Sequence, residues 1–152
     1  MDPTIKNHHW GDLTRADREA HQKGARTAFL LDIHGNLSEG VGFNVWIIKN
    51  GKLLTPDSNV LLGVTRLTVF DLAKEMNIEA RACTVSLEML RAADEIFMST
   101  TAGGIMPVRS LDGVPVSGGR PGPITTRLRD AFWKAHDNPK YLTPVNYPAV
   151  VG

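Results

Sequence analysis

Phe43-Asn44-Val45-Trp46-Ile47-Ile48, then Asn50-Gly51, then Lys52-Leu53-Leu54-Thr55 is the stretch that decides the fold. The first run is rich in β-branched and aromatic residues and reads as a strand. Asn-Gly is the pair that a tight two-residue turn demands, because both turn residues take positive φ. Lys52 to Thr55 is the return strand, and Pro56-Asp57 ends it. A hairpin therefore stands at the centre of the chain, and the rest is read outward from it.

Upstream, residues 10–24 read as a charged, weakly amphipathic helix closed by Gly24. Thr27 to Ile33 reads as a strand, with His34-Gly35-Asn36 as its turn. Downstream, Gly63-Val64-Thr65 leads into a helix over about 65–76, with Leu67, Val69, Phe70, Leu72, Ala73 and Met76 largely on one side. Ile78 to Val85 reads as a strand and Leu87 to Ala93 as a short helix. Glu95 to Ser99 and Ile105 to Leu111 read as strands around a Thr100-Thr101-Ala102-Gly103-Gly104 loop. Asp112-Gly113 is a turn, Ile124 to His136 a helix, and the proline-bearing tail from Asp137 a loop. Strands and helices intermix without regular βαβ spacing. The expected class is α+β, with a mixed, barrel-like sheet flanked by helices.

The 152 residues are expected to form one domain. Seventeen basic and sixteen acidic side chains nearly cancel, so nothing points to a nucleic-acid or membrane-surface partner. No apolar run is long enough to span a bilayer, and Met1 to Lys6 lack the apolar core of a secretory signal. Cys83 is the one cysteine, which excludes an internal disulfide and any cysteine-rich metal site. The simplest compartment is the cytosol.

Four features carry possible chemistry, and each has a commoner, blander role. Lys6 is most simply a solvated charge near a terminus; as a Schiff-base lysine it would need partial desolvation beside a cofactor. Glu39, in Ser38-Glu39-Gly40-Val41-Gly42-Phe43-Asn44, sits between a turn and a strand. It is either an exposed loop carboxylate or a buried one paired with a cation. Gly63-Val64-Thr65-Arg66 is a glycine turn opening a helix, which suits either a plain Thr cap or a phosphate on free backbone N–H groups. Ser99-Thr100-Thr101-Ala102-Gly103-Gly104 is either a polar loop or an anion-binding nest. His8, His9, His21, His34 and His136 lack metal-ligand spacing. The glycine-rich Ser117 to Gly122 run lacks the Lys-Ser/Thr ending of a nucleotide loop. Phe132 and Trp133 are most simply core, and Cys83 is more often buried than nucleophilic.

Together and in order, these segments resemble the class-IV pyridoxal-phosphate (PLP) aminotransferases. Ile5-Lys6-Asn7 with Trp10-Gly11-Asp12-Leu13 resembles the lysine segment of the (R)-selective amine transaminases, and Ser38-Glu39-Gly40 with Gly42-Phe43-Asn44 their carboxylate segment. Leu62-Gly63-Val64-Thr65-Arg66 resembles the phosphate turn of the whole family, and Asp94 to Pro107 the substrate and phosphate loop. The Leu111-Asp112-Gly113 turn, the Gly122-Pro123-Ile124-Thr125 helix start and Leu142 to Tyr147 are similar too. The resemblance implies that Lys6 forms the Schiff base with PLP and shuttles the proton, while Glu39 pairs with the pyridine nitrogen. It implies that Val64 and Thr65 hold the phosphate, with Thr101 adding a contact. Ala102, Thr100 and Trp10 would face the substrate, and Asn44 would orient the carboxylate segment.

Within the family, Ala102-Gly103-Gly104 resembles the amine transaminases, where branched-chain enzymes usually carry Ala-Ala-Glu. Gly42-Phe43-Asn44 departs from the D-amino-acid enzymes. The expected reaction moves an amino group from an (R)-amine or amino acid to a keto acceptor. A branched-chain or D-amino-acid aminotransferase, or a fragment that binds PLP without turnover, are the alternatives. The family also carries a stretch ahead of the lysine, with a small domain, a phosphate-binding arginine and a substrate-covering loop, that these residues do not include. The expectation is a cofactor-carrying C-terminal domain over 1–152, partnered by a second copy or by a complementary N-terminal half.

Overall fold

The Asn50-Gly51 hairpin forms the centre of the molecule. In the computed structural model, which describes residues 4–6 and 10–145, β3 (Asn44–Lys49) runs antiparallel to β4 (Lys52–Thr55). The turn residues Asn50 and Gly51 have φ of 51° and 76°, the left-handed pair that such a turn requires. Ahead of the hairpin lie α1 (Gly11–Gln22), β1 (Phe29–Leu31) and β2 (Leu37–Gly40). After it come α2 (Val64–Glu75), β5 (Ala80–Ala82), α3 (Leu87–Arg91), β6 (Glu95–Thr100) and β7 (Gly104–Pro107). The small β8 (Ser110–Leu111) and β9 (Val114–Pro115) pair follows, then a 3₁₀ turn at Ser117–Gly119 and α4 (Pro123–Ala135).

The main sheet has five strands in the order β5-β4-β3-β6-β7. It is mixed, because β5 alone runs parallel to its neighbour. Along β3, side chains alternate between two cores. Trp46 and Ile48 join Leu53, Phe97 and Ile105 against Val69 and Leu72 of α2 and Leu128 and Phe132 of α4. Val45 and Ile47 point the other way, with Leu54 and Ile96, against Leu37, Val85, Leu90 of α3 and Val116. Burial on both faces is why the β3 sequence is a continuous apolar run rather than an alternating one. Trp46 stacks on Phe97 with ring centroids 5.7 Å apart, and its indole Nε1–H donates to the buried Ser99 Oγ at 3.0 Å.

Several expected elements differ in extent. Residues 37–40 are a strand paired with β1, where a loop was expected from the glycines around Glu39. The Asp32 carboxylate accepts the N–H groups of His34 and Asn36 at 2.9 and 2.8 Å and folds the chain back tightly enough for Leu37 to pair with Leu31. The strand expected over 78–85 is only three residues long; Val85 instead lends its carbonyl to the Leu37 N–H. The run expected over 105–111 is divided: β7 ends at Pro107, one further ladder bond runs from the Val108 N–H to the Ile96 carbonyl at 2.9 Å, and Ser110–Leu111 pairs separately with β9. On α2, Val69, Leu72 and Ala73 are buried, but Leu67 faces solvent. Trp133 is likewise half exposed rather than core, while Phe132 is buried. Cys83 is partly covered, and burial pushes its thiol up. Asn7, His8 and His9 of the lysine segment, and Asn146 and Tyr147 of the closing segment, lie outside the described residues. No helix among the described residues is long and apolar enough to cross a membrane.

Candidate functional site

Glu39 projects from β2 between the buried Ser38 and Gly40. Gly40 is obligatory, since a Cβ there would overlap the Phe43 ring. The Glu39 carboxylate is half-buried, and its Oε2 accepts the Leu61 backbone N–H at 3.0 Å. Burial pushes its carboxyl above the usual range, and the Leu61 hydrogen bond works against that rise. No cationic side chain among the described residues is ion-paired with it.

The segment that Leu61 belongs to is fixed from three sides. Ser38 Oγ donates to the Asn59 carbonyl. Asn44, 5% exposed at the start of β3, donates from Nδ2 to the Leu61 carbonyl at 2.8 Å. Its Oδ1 occupies the space where a side chain on Gly63 would begin, 2.6 Å from an ideal Cβ, so the residue there must be glycine. The same residue, Leu61, thus serves Glu39 with its N–H and Asn44 with its carbonyl. Three residues later α2 begins, at most about 11 Å along the chain.

That helix start is open. Gly63 caps it without a side-chain hydrogen bond, and no acidic residue stands in its first turn. Val64 is 79% exposed and Thr65 half-buried. The contrast is α4, whose first N–H groups are already taken. Glu95 of β6 accepts from Ile124 N–H at 3.1 Å and Thr125 N–H at 2.8 Å. The free N–H groups and the dipole make the α2 start receptive to an anion.

The third piece is the β6–β7 hairpin. Ser99 lies opposite Asn44 in the sheet, and Thr100 opposite Gly104. The Thr101-Ala102-Gly103 turn therefore sits at the sheet end where Asn44 stands, with Thr101 and Ala102 exposed and Thr100 half-buried. Gly104 closes the turn at φ 63°, and an ideal Cβ on it would lie 2.7 Å from the Phe132 ring. Trp10, 42% exposed, brings its ring to within 3.6 Å of an ideal Cβ on Gly42, beside the same end.

Of the residues singled out from sequence, the fold joins Glu39, Val64 and Thr65 through Leu61 and Asn44. It brings Thr100, Thr101 and Ala102 to that end of the sheet, and Trp10 next to Gly42. Lys6 is exposed, and no hydrogen bond or ion pair joins it to Glu39, Thr65 or Thr101. Three residues lie between it and Trp10 in the sequence, so the four Cα–Cα steps span at most about 14 Å. Sequence reasoning missed Ser38 and Leu61, whose roles are backbone contacts across 21 and 22 residues. Polar residues at those separations leave no periodic signal. Chemically, the arrangement offers a carboxylate for a cation at one end and an uncapped helix start for an anion at the other.

A family model described as Amino-transferase class IV matches residues 1–111. A branched-chain-amino-acid aminotransferase of Salmonella typhimurium is 44% identical over 135 residues, covering 84% of this chain and 44% of that protein. One of Escherichia coli K12 is 47% identical over 117 residues, covering 76% of this chain and 38% of the relative. The chain thus spans less than half the length of these relatives. Among solved structures, a T.th. branched-chain amino acid aminotransferase complexed with N-(5'-phosphopyridoxyl)-L-glutamate aligns with a TM-score of 0.91 at 33% identity, over 96% of this chain and 51% of that one. The same enzyme is also solved with 4-methylvaleric acid.

Proposed function

The chain belongs to the class-IV aminotransferase family, and we propose that it is the cofactor-holding part of a PLP-dependent aminotransferase acting on branched-chain amino acids. The observation that carries this reading is the pairing of Glu39 with the α2 start through Leu61. The residues present fit the cofactor. A half-buried carboxylate without an ion-paired cation among the described residues suits a protonated pyridine nitrogen, and the open first turn of α2 suits a phosphate. When bound, PLP supplies the electron sink for amino transfer. Glu39 would keep the ring nitrogen protonated. Val64 and Thr65 N–H groups and the Thr65 hydroxyl would hold the phosphate, and Thr101 would add a contact to it. Lys6 Nζ would attach the cofactor and move the proton of the donor carbon. Trp10, Thr100 and Ala102 would line the substrate side.

The donor reading rests on the relatives, named for branched-chain amino acids, and on 4-methylvaleric acid, which has the carbon skeleton of leucine. The Ala102-Gly103-Gly104 turn favours the second reading, an (R)-amine donor, because nothing larger than a methyl projects from it. A second copy of the chain, or the polypeptide that completes the relatives' length, would cover the rest of the pocket in a cytosolic enzyme.

Borohydride reduction of the chain with PLP, followed by peptide mapping, tests cofactor attachment. The adduct should fall on the Lys6 peptide and vanish in Lys6→Ala. An adduct spread over surface lysines would sink the assignment. Glutamate formation from 2-oxoglutarate, with leucine or (R)-1-phenylethylamine as donor, then decides the donor class. Attachment without glutamate from either donor would leave a cofactor-binding piece that does not turn over.

A further inference from the structure

Arg66, the third residue of α2, has no role in the site described so far. It is 4% exposed. Its Nη2 donates to the Pro56 carbonyl at 2.9 Å, and its guanidinium lies 5.2 Å from the centre of the Phe70 ring. Its Nε is buried with no hydrogen-bond partner, and no carboxylate among the described residues is ion-paired with it. Among the described residues one carbonyl and one ring hold this buried charge directly, with the Asp57 charge acting on it without an ion pair, and such a charge is costly. The position makes the cost larger, because the first turn of a helix carries the positive end of the dipole and disfavours a cation. An anion at that turn would relieve both.

We propose that Arg66 is a positioning residue for the phosphate turn: a buried guanidinium, with no ion-paired carboxylate among the described residues, that ties the end of β4 to the first turn of α2 and adds attraction for a phosphate dianion there. The inference rests on the proposed PLP reading and extends it to a residue that does not itself touch the cofactor. The physics is direct. A fixed charge inside the protein is poorly screened, so it acts on an anion across several ångströms. The Pro56 hydrogen bond and the Phe70 ring keep the side chain from swinging out to water. Burial draws the guanidinium pKa down, with the Asp57 charge opposing, in keeping with a cation that is short of negative partners.

The test separates charge from scaffolding by comparing two ligands that differ only in the phosphate. Dissociation constants for PLP and for pyridoxal are measured on the chain, on Arg66→Gln and on Arg66→Lys. Arg66→Gln should weaken PLP by roughly ten-fold and leave pyridoxal within about two-fold, as loss of one charge–charge interaction predicts. Arg66→Lys should retain most of the preference for the phosphorylated ligand. Equal weakening of both ligands would make Arg66 a scaffold residue only and overturn the proposal. In the unsubstituted chain, the Arg66 Nε–H resonance should shift on saturation with PLP, and again with inorganic phosphate. A resonance indifferent to bound PLP overturns the proposal even if Arg66→Gln fails to fold. Failure of the PLP reading looks different: no adduct on Lys6, while inorganic phosphate still shifts the Arg66 resonance.

Discussion

Glu39 is a carboxylate whose ionisation the fold resists, and that resistance has a testable sign. Its folded-state pKa lies above its ordinary value because burial disfavours the charged form. Below the ordinary carboxylate range both folded and unfolded chains are protonated, and Glu39 contributes no difference. As pH rises the unfolded chain loses its proton first, so the folded state binds more protons and stability falls until the folded pKa is passed. Glu39→Gln removes the titration and keeps an acceptor for the Leu61 N–H. It is expected to be more resistant to urea than the parent at neutral pH, with the gap closing near pH 4. Without added cofactor, a gap that is absent or widens on acidification would show that burial does not set the Glu39 pKa. Under the proposed cofactor reading the same variant should bind PLP more weakly, since the pyridine nitrogen would lose its counter-charge. At this scale the sequence was informative about chemistry and silent about support. A lone glutamate among glycines was readable as a carboxylate site. Ser38, Leu61 and Arg66 were not, because their work is done by hydrogen bonds between a side chain and a backbone atom at least ten residues apart in the chain.

The two long helices packed on one face of the sheet, α2 and α4, start in different electrostatic settings. Glu95, 5% exposed on β6, takes two N–H groups of α4, and Gly122 leaves room for it, since a Cβ there would overlap the Glu95 carboxylate. Glu95→Ala would leave two N–H groups without partners and is expected to cost about 3 kcal/mol, the range for losing charged hydrogen bonds at a helix start. Chemical denaturation checks this, and a loss under about 1 kcal/mol would mean that water replaces the carboxylate. Element boundaries show where local signals sufficed. Asn50-Gly51 fixed its hairpin, and Gly24 with φ 79° ended α1 as the sequence implied. β2 escaped because its pairing depends on the Asp32 turn bringing Leu37 back to Leu31, and a strand flanked by glycines has weak propensity of its own.

At the scale of the molecule, β3 is the shared wall of two cores. Trp46 and Ile48 face α2 and α4, whereas Val45 and Ile47 face α3 and β2. A wall common to both should make them unfold together. Val69→Ala in one core and Leu90→Ala in the other, both nearly inaccessible to solvent, are expected to cost about 1–2 and 2–4 kcal/mol respectively. Each should shift one transition seen equally by far-ultraviolet and near-ultraviolet circular dichroism. Two separated transitions would show that the faces fold independently. By itself, the sequence determined the family and most of the elements, because motif residues, turn pairs and periodicity are local properties. Only the tertiary structure decided that Glu39 and the α2 start share one support at Leu61, that α4 is capped from β6, and that Arg66 is buried in the first turn of α2 with no ion-paired carboxylate among the described residues. Those are through-space relations between residues distant in the chain, and burial and unmet hydrogen-bonding needs exist only once the chain has folded.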